Sequence, residues 1–370
     1  MLHLRMNETY LGNPNVKRDG VVANWNQEEV LEYARCMKDP SYFASKYCKI
    51  ISLDEGLVPF QLYPYQQQMF TEFNKNRFNI VLACRQSGKS ISSVAYLLWY
   101  ALFHTEKTIA VMANKGATAR EMLGRITLML ENLPFFLQPG CKALNKGSIE
   151  FSNNSRIVAA ATSGSSIRGM SVSLLYLDEF AFVENDAQFY TSTYPVVSSG
   201  KDTKVIITST ANGIGNVFHK IWEGASQGVN EFKPFRVDWW DVPGRDEAWK
   251  TQTIANTSRL QFDQEFGNTF FGTGDTLINA ETLLNLRASN PIRFLEGGDL
   301  KIYTETEKDH EYIMLVDVSK GRGQDYSTFN LIDISCRPFK QVAVYRNNII
   351  SPLLFPNIIY KWANSYNKAY

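Results

Sequence analysis

The sequence predicts a two-part α/β chain: a mostly parallel sheet flanked by helices, followed by a second unit that opens with antiparallel strands. Three observations carry this. At 370 residues the chain exceeds the roughly 250–300 residues at which a single core stops growing. Between Phe60 and about Asp241, short apolar runs alternate with helical stretches, the sequence mark of a parallel sheet with crossover helices. After Tyr312 the apolar runs are joined by turns too short for a crossover helix, so they must pair antiparallel.

Taken in order, residues 1–25 are polar and hold Gly12-Asn13-Pro14-Asn15, which reads as a flexible lead-in. A helical arm is predicted over 26–59. Its helix starts at the cap Asn26, with Val30, Leu31, Tyr33, Ala34 and Met37 as the inward stripe. The core spans 60–245. Its strands are Asn79 to Ala83, Thr108 to Ala113, Leu174 to Leu177 and Lys204 to Thr208, and its helices Lys89 to Phe103 and Ala117 to Leu133. Val94, Leu97, Leu98, Ala101 and Leu102 give the first helix one apolar face. Ser148 to Phe151 and Arg156 to Ala160 flank Asn153-Asn154 as an inserted hairpin. A helical lid and linker containing Gly272, Gly274, Gly297 and Gly298 covers 246–308. The second unit, 309–370, holds strands Tyr312 to Val318, Ser327 to Ile334 and Gln341 to Tyr345, then a helix around Pro356 to Tyr366.

Composition bounds the function. With 44% hydrophobic and 20% charged residues the chain buries a core and is not a disordered tail. Its 38 basic and 37 acidic residues cancel to +1, so nucleic-acid binding must come from a local patch. The five cysteines and four histidines show no zinc-ligand spacing, which predicts a reduced, cytosolic protein without zinc. No apolar stretch approaches the ~20 residues of a membrane span.

The chemistry starts where strand Asn79 to Ala83 runs into Cys84-Arg85-Gln86-Ser87-Gly88-Lys89-Ser90 and a helix follows. A phosphate-binding loop needs this context: N–H groups at the helix start face phosphate, Lys89 neutralises its oxygens, and the Ser90 hydroxyl reaches Mg²⁺. Ala83 replaces the usual first glycine. Downstream, Leu174-Leu175-Tyr176-Leu177 delivers Asp178 and Glu179 at a strand end, suited to holding Mg²⁺ and to activating water as general base. Next, Thr208-Ser209-Thr210 follows another apolar strand, where hydroxyls can sense the γ-phosphate. Tyr63-Pro64-Tyr65-Gln66 offers either an adenine-contacting ring and amide or an ordinary half-buried Tyr. Asp317, inside an apolar strand, and Asp325 near the next strand are candidate ligands of a two-metal site, because a carboxylate buried there is costly unless it is paired or binds metal.

With these residues in hand, the chain resembles the large terminase subunit of tailed phages, in the form found in large contractile-tailed phages. The resemblance runs from about Phe60 to the end and rests on five motifs in order: Cys84 to Ser90, the Leu-Tyr-Leu-Asp-Glu run, Thr208 to Gly213, Gly272-Thr273-Gly274, and Asp317 with Gly321 to Tyr326. It implies a RecA-like packaging ATPase with a small lid, joined to the start of an RNase H-like nuclease. ATP and Mg²⁺ would be held by Gln86, Ser87, Gly88, Lys89, Ser90 and Asp178, with Glu179 as base. Arg85 would stabilise the transition state in cis, Tyr65 and Gln66 would contact adenine, and Thr208, Ser209 and Thr210 would couple hydrolysis to movement. Asp317 and Asp325 would bind Mg²⁺ or Mn²⁺.

The implied partners are double-stranded DNA, a portal protein, a small terminase subunit and further copies in a ring, with a monomer in solution, no membrane contact, and action at the procapsid portal vertex in the bacterial cytoplasm. The family's remaining nuclease carboxylates follow the helix at which this chain stops, so DNA cleavage by the family mechanism is not expected. Two alternatives stay open: a helicase-type translocase, which needs a second RecA-like domain that the antiparallel strands do not provide, and a nucleotide-binding assembly protein without turnover.

Overall fold

The computed structural model describes residues 8–22, 24–162, 169–198, 200–271, 289–323, 325–335 and 337–370. The motif Gly272-Thr273-Gly274, Gln324 and Cys336 therefore lie outside the described residues. The chain divides into two compact units, Met1–Ala280 and Glu281–Tyr370.

Residues 8–19, expected as a flexible lead-in, are instead packed. Strands β1 (Thr9–Tyr10) and β2 (Asn13–Lys17) pair antiparallel, Val16 is buried in the main core, and Gln138 ties the segment down by accepting from the Lys17 N–H at 2.9 Å. The arm that follows is only partly helical. Helix α1 (Gln27–Lys38) does start at Asn26 with a reciprocal capping box to Glu29, but Asp39 and Pro40 end it and cap α2 (Pro40–Tyr47). A hairpin of β3 (Lys49–Ser52) and β4 (Gly56–Pro59) comes next. Of the predicted inward stripe only Tyr33 packs against the core: Leu31 is 66% exposed, Val30 and Met37 are exposed too, and Cys36 is the buried residue of α1.

Helix α3 (Pro64–Lys75) leads into the main sheet. Its strands are β5 (Phe78–Ala83), β6 (Thr108–Ala113), β7 (Cys141–Leu144), β8 (Ser148–Phe151), β9 (Arg156–Ala161), β10 (Leu174–Asp178), β11 (Lys204–Ser209) and β12 (Lys233–Val237). They lie in the order β12-β5-β11-β10-β6-β9-β8-β7. The first six pair in parallel, and β8 and β7 turn back antiparallel. The predicted hairpin thus extends the sheet at one edge. Strand β12, beside β5, escaped the sequence reading.

Side chains alternate between the two faces, so each strand supplies two cores. Val81, Val111, Tyr176 and Ile206 pack on one face with α4 (Lys89–Phe103) and α5 (Gly116–Glu131). Ile80, Leu82, Met112, Leu177 and Ile207 pack on the other, with residues of α6 (Asp186–Ser198) and α7 (Val217–Ser226). Each such side chain contributes roughly 1.5–3 kcal/mol by leaving water. Helix α4 departs from its predicted one-sided stripe, because everything from Ser92 to Phe103 is buried. The register sets Asp178 opposite Thr208 and Ser209 opposite Leu82, so β5, β11 and β10 end nearly flush.

Beyond β12, α8 (Glu247–Asn256) and α9 (Arg259–Glu265) pack aromatic rings, with Trp249 and Phe262 against Trp239. The second unit has the sheet order β13-β14-β17-β16-β15. Its strands are β13 (Arg293–Leu295), β14 (Leu300–Ile302), β15 (Tyr312–Asp317), β16 (Ser327–Asp333) and β17 (Lys340–Asn347), followed by α10 (Phe355–Ser365). The antiparallel pairing predicted after Tyr312 is present. Strands β13 and β14 join the same sheet, so residues expected in the linker belong to this unit. Phe329, Leu331 and Tyr345 face Phe355 in its core.

Candidate functional site

The site forms where three parallel strands end together. Strand β5 is continued by Cys84, whose N–H donates to the Val237 carbonyl of β12 at 3.0 Å. The chain then turns through left-handed residues Gln86 (φ 56°) and Gly88 (φ 75°) into α4. A side chain at Gly88 is excluded twice, by that φ and by Gln66, whose Nε2 would lie 2.6 Å from the added Cβ. Tyr65 and Gln66, anticipated at adenine, are both buried. The Tyr65 hydroxyl donates to the Ser87 carbonyl at 2.6 Å, and Gln66 Oε1 accepts from the Tyr63 N–H at 2.9 Å. They pack against the loop, and Tyr63 is the exposed ring.

Opposite the loop, β10 ends on Asp178, which is 4% exposed. Its Oδ1 accepts from Tyr176 OH at 2.8 Å, Thr208 Oγ1 at 2.9 Å and Ser90 Oγ at 3.1 Å. Burial, and then the charge of adjacent Glu179, push the Asp178 carboxyl above its ordinary value. Glu179 itself sits in the left-handed region (φ 49°, ψ 45°), a conformation that costs a non-glycine residue on the order of 1 kcal/mol and collects at functional sites. That turn delivers Glu179 Oε1 to Lys89 Nζ at 2.8 Å. Its Oε2 faces the Thr210 N–H at 3.3 Å and Ser209 Oγ at 3.4 Å.

The predicted residues Lys89, Ser90, Asp178, Glu179, Thr208, Ser209 and Thr210 therefore meet in one network. Arg85 does not join it. Its guanidinium is largely exposed and pairs with Glu265 at 3.1 Å, and its N–H donates to the Glu265 carbonyl at 2.7 Å.

The donor set suits a nucleotide with Mg²⁺. A hydroxyl and a carboxylate converge as oxygen ligands at Ser90 and Asp178. Among the described residues Ser87 Oγ is buried without a hydrogen-bond partner, an orphan polar atom inside the loop that calls for a ligand.

Sequence reasoning missed Tyr176, Glu265 and Arg245. A tyrosine in an otherwise aliphatic buried strand was a usable signal, since its hydroxyl must find a partner. Nothing local marked the other two, which reach the loop from 159–180 residues away in sequence.

In the second unit, Asp317 ends the edge strand β15, and it is exposed. Asp317 is therefore not a buried carboxylate in need of metal, and Leu315 and Val316 beside it are exposed as well. Asp317 and Asp325 line one open hollow with Ser319, Lys320, Arg322 and Tyr326. Asp333 sits at the other end of the β15–β16 pair, opposite Tyr312, and binds His310 at 2.8 Å. No group of three acidic, histidine or cysteine side chains able to hold a metal occurs among the described residues.

Residues 80–284 match the family model described as terminase large subunit, T4likevirus-type, N-terminal. The large terminase subunit of Thermus virus P23-45 is 25% identical over 182 residues, 45% of this chain and 36% of that protein. The corresponding protein of Thermus phage G20c is 24% identical over 182 residues, with the same coverage of both chains. The matched stretch thus spans about a third of these relatives' length (36%). The crystal structure of the HK97 bacteriophage large terminase superposes with a TM-score of 0.54 at 14% identity, over 83% of this chain and 67% of that one, a likeness of fold.

Proposed function

The chain belongs to the terminase large-subunit family of T4-like type, and from that premise we propose that it is an ATP-hydrolysing motor subunit that drives double-stranded DNA into a phage procapsid. The observation that carries the ATPase reading is the meeting of the start of α4 with the end of β10: Ser90 Oγ on Asp178 at 3.1 Å, beside Lys89 on Glu179 at 2.8 Å. Bound Mg²⁺ would polarise the terminal phosphate and spread its developing charge.

The chain's own residues do the rest. Lys89 and the loop N–H groups bind phosphate, Ser90 and Asp178 hold the metal, and Glu179 accepts the proton of the attacking water. Ser209 and Thr210 fix the Glu179 carboxylate, so a shift of β11 re-aims the base, which is the coupling role assigned to Thr208, Ser209 and Thr210. Arg85 reaches the reacting phosphate only after leaving Glu265.

Steady-state ATP hydrolysis by wild type, measured with and without DNA and portal protein, tests the reading. Absence of turnover under every one of these conditions would refute it. The further parts of the proposal are a portal ring, a small terminase subunit and sister copies as partners, at the procapsid vertex in the bacterial cytoplasm.

The hollow around Asp317 and Asp325 offers two carboxylates to Mg²⁺ or Mn²⁺, and we assign it no cleavage activity in this chain. Metal-dependent cutting of DNA by the purified chain, lost in Asp317→Ala, would overturn that assignment.

A further inference from the structure

Resting on the ATP-site reading above, we propose that Arg245 and Tyr65 are positioning residues of the phosphate loop. Each captures one loop carbonyl from outside, and this turns the N–H groups of Ser87 and Gly88 toward the phosphate position.

In a trans peptide the carbonyl and the following N–H point in opposite directions, so whatever holds the oxygen aims the hydrogen. Arg245 Nη2 donates to the Gln86 carbonyl at 3.1 Å, and its Nη1 lies 3.4 Å from Cys84 Sγ. Tyr65 OH donates to the next carbonyl, that of Ser87, at 2.6 Å. Two consecutive peptide planes are thereby pinned by their oxygens, and the hydrogens of Ser87 and Gly88 face the other way.

Four features agree. The N–H groups of Gln86, Ser87 and Gly88 have no partner among the described residues. The preceding N–H, that of Arg85, is instead consumed by the Glu265 carbonyl at 2.7 Å, so the free run starts at Gln86. Left-handed Gln86 and Gly88 alternate with other conformers, the backbone pattern that folds successive N–H groups into an anion-binding concavity. Ser87 Oγ, buried without a partner among the described residues, lies in the same loop.

Arg245 is built to hold still. Its guanidinium carbon lies 4.8 Å from the Trp249 ring centroid and 5.4 Å from that of Phe266, so the planar fork is seated before it donates. Burial raises the Tyr65 phenol above its ordinary value and keeps it a donor. A lysine at 245 would retain the charge but not the fork.

The test is isothermal titration of the full chain with Mg·ADP and, separately, with pyrophosphate, a probe that carries only the phosphate contacts. Tyr65→Phe removes one oxygen and keeps the ring packed, and thermal unfolding confirms that Arg245→Ala remains folded. Each variant is expected to weaken pyrophosphate and ADP binding by about 5- to 10-fold, the loss of one oriented hydrogen bond. Arg245→Lys should recover only part of the loss. Wild-type pyrophosphate affinity in both Tyr65→Phe and Arg245→Ala would overturn the proposal, even while Lys89→Ala abolishes binding and upholds the ATP site. If wild type itself bound neither ligand, the ATP-site reading would fall first and this inference with it.

Discussion

Lys89 Nζ lies 2.8 Å from Glu179 Oε1, so the cation intended for phosphate and the carboxylate intended for water neutralise each other within the network. A phosphate that enters must draw Lys89 away, which frees Glu179 as it binds. Replacing Glu179 by Gln removes the competitor for Lys89 and the base together. ATP affinity in Glu179→Gln should equal or exceed wild type, and turnover should fall by about 10²- to 10⁴-fold; titration beside a steady-state assay reads both.

Asp178 has its carboxyl raised, first by burial and then by Glu179. A raised carboxyl binds its proton more tightly in the folded state than in the unfolded one. Its contribution is fully present below the unfolded value and is lost as pH rises through the folded one. At pH 7, above the unfolded carboxylate value, burying this group therefore costs stability, and Asp178→Asn should raise the melting temperature by a few degrees, at about 2–4 °C per kcal/mol for a domain of this size. The same variant should lose Mg²⁺-dependent turnover. An unchanged or lower melting temperature at pH 7 would contradict the sign.

Ser209 faces two ways, accepting from the Ala181 N–H at 3.2 Å and meeting Glu179 Oε2 at 3.4 Å. Ser209→Ala should leave ATP affinity unchanged and lower kcat by about 3- to 10-fold, the worth of one hydrogen bond on the base. A matching loss in affinity would show that the hydroxyl serves binding instead.

In the arm, Glu32 joins α1 to α2. It accepts from Lys46 at 2.5 Å, Tyr42 OH at 2.5 Å and Tyr47 OH at 2.9 Å. Those bonds, Lys46 foremost, hold its carboxyl at about 2. A depressed carboxyl stabilises above its unfolded value and loses that contribution as pH falls toward the folded one. Protection against hydrogen exchange in residues 27–47, corrected for the intrinsic rate, should be high at neutral pH and fall as pH drops from about 4 toward 2. In Glu32→Gln it should be low throughout.

His310 in the second unit has its imidazole raised by the Asp333 carboxylate, 2.8 Å from Nδ1. The sign is reversed here: the stabilisation is full below the unfolded histidine value of about 6.5 and disappears as pH rises through the higher folded one. Thermal unfolding of the second unit should shift down as pH rises past neutrality, and His310→Gln should flatten that dependence.

Much of this architecture was legible because parallel strands buried on both faces must be continuous apolar runs. Thr108–Ala113 and the start of α4 at Lys89 were read to the residue. The network of Lys89, Ser90, Asp178 and Glu179 was equally legible, since each residue ends or follows such a run. What failed had tertiary causes. Val30, Leu31 and Met37 have helical spacing, yet the side of α1 that packs carries Cys36. The six-residue apolar run ending in Asp317 forms an edge strand, so its last residues meet solvent. Strand β12, with the sequence Lys-Pro-Phe-Arg-Val, has too few apolar residues to announce itself, but it occupies the open side of β5.

The strand order has a consequence for synthesis. Strand β11 lies between β5 and β10, although it follows both in the chain. A nascent polypeptide extending only through Asp178 already carries Tyr65, the phosphate loop and the Asp178 carboxylate, but not the strand that sets their spacing. Two parallel strands without the one between them sit one inter-strand step closer or drift apart, and neither arrangement keeps Ser90 on Asp178. The candidate nucleotide site is therefore a late product of folding, unable to form before Ser209 has left the ribosome.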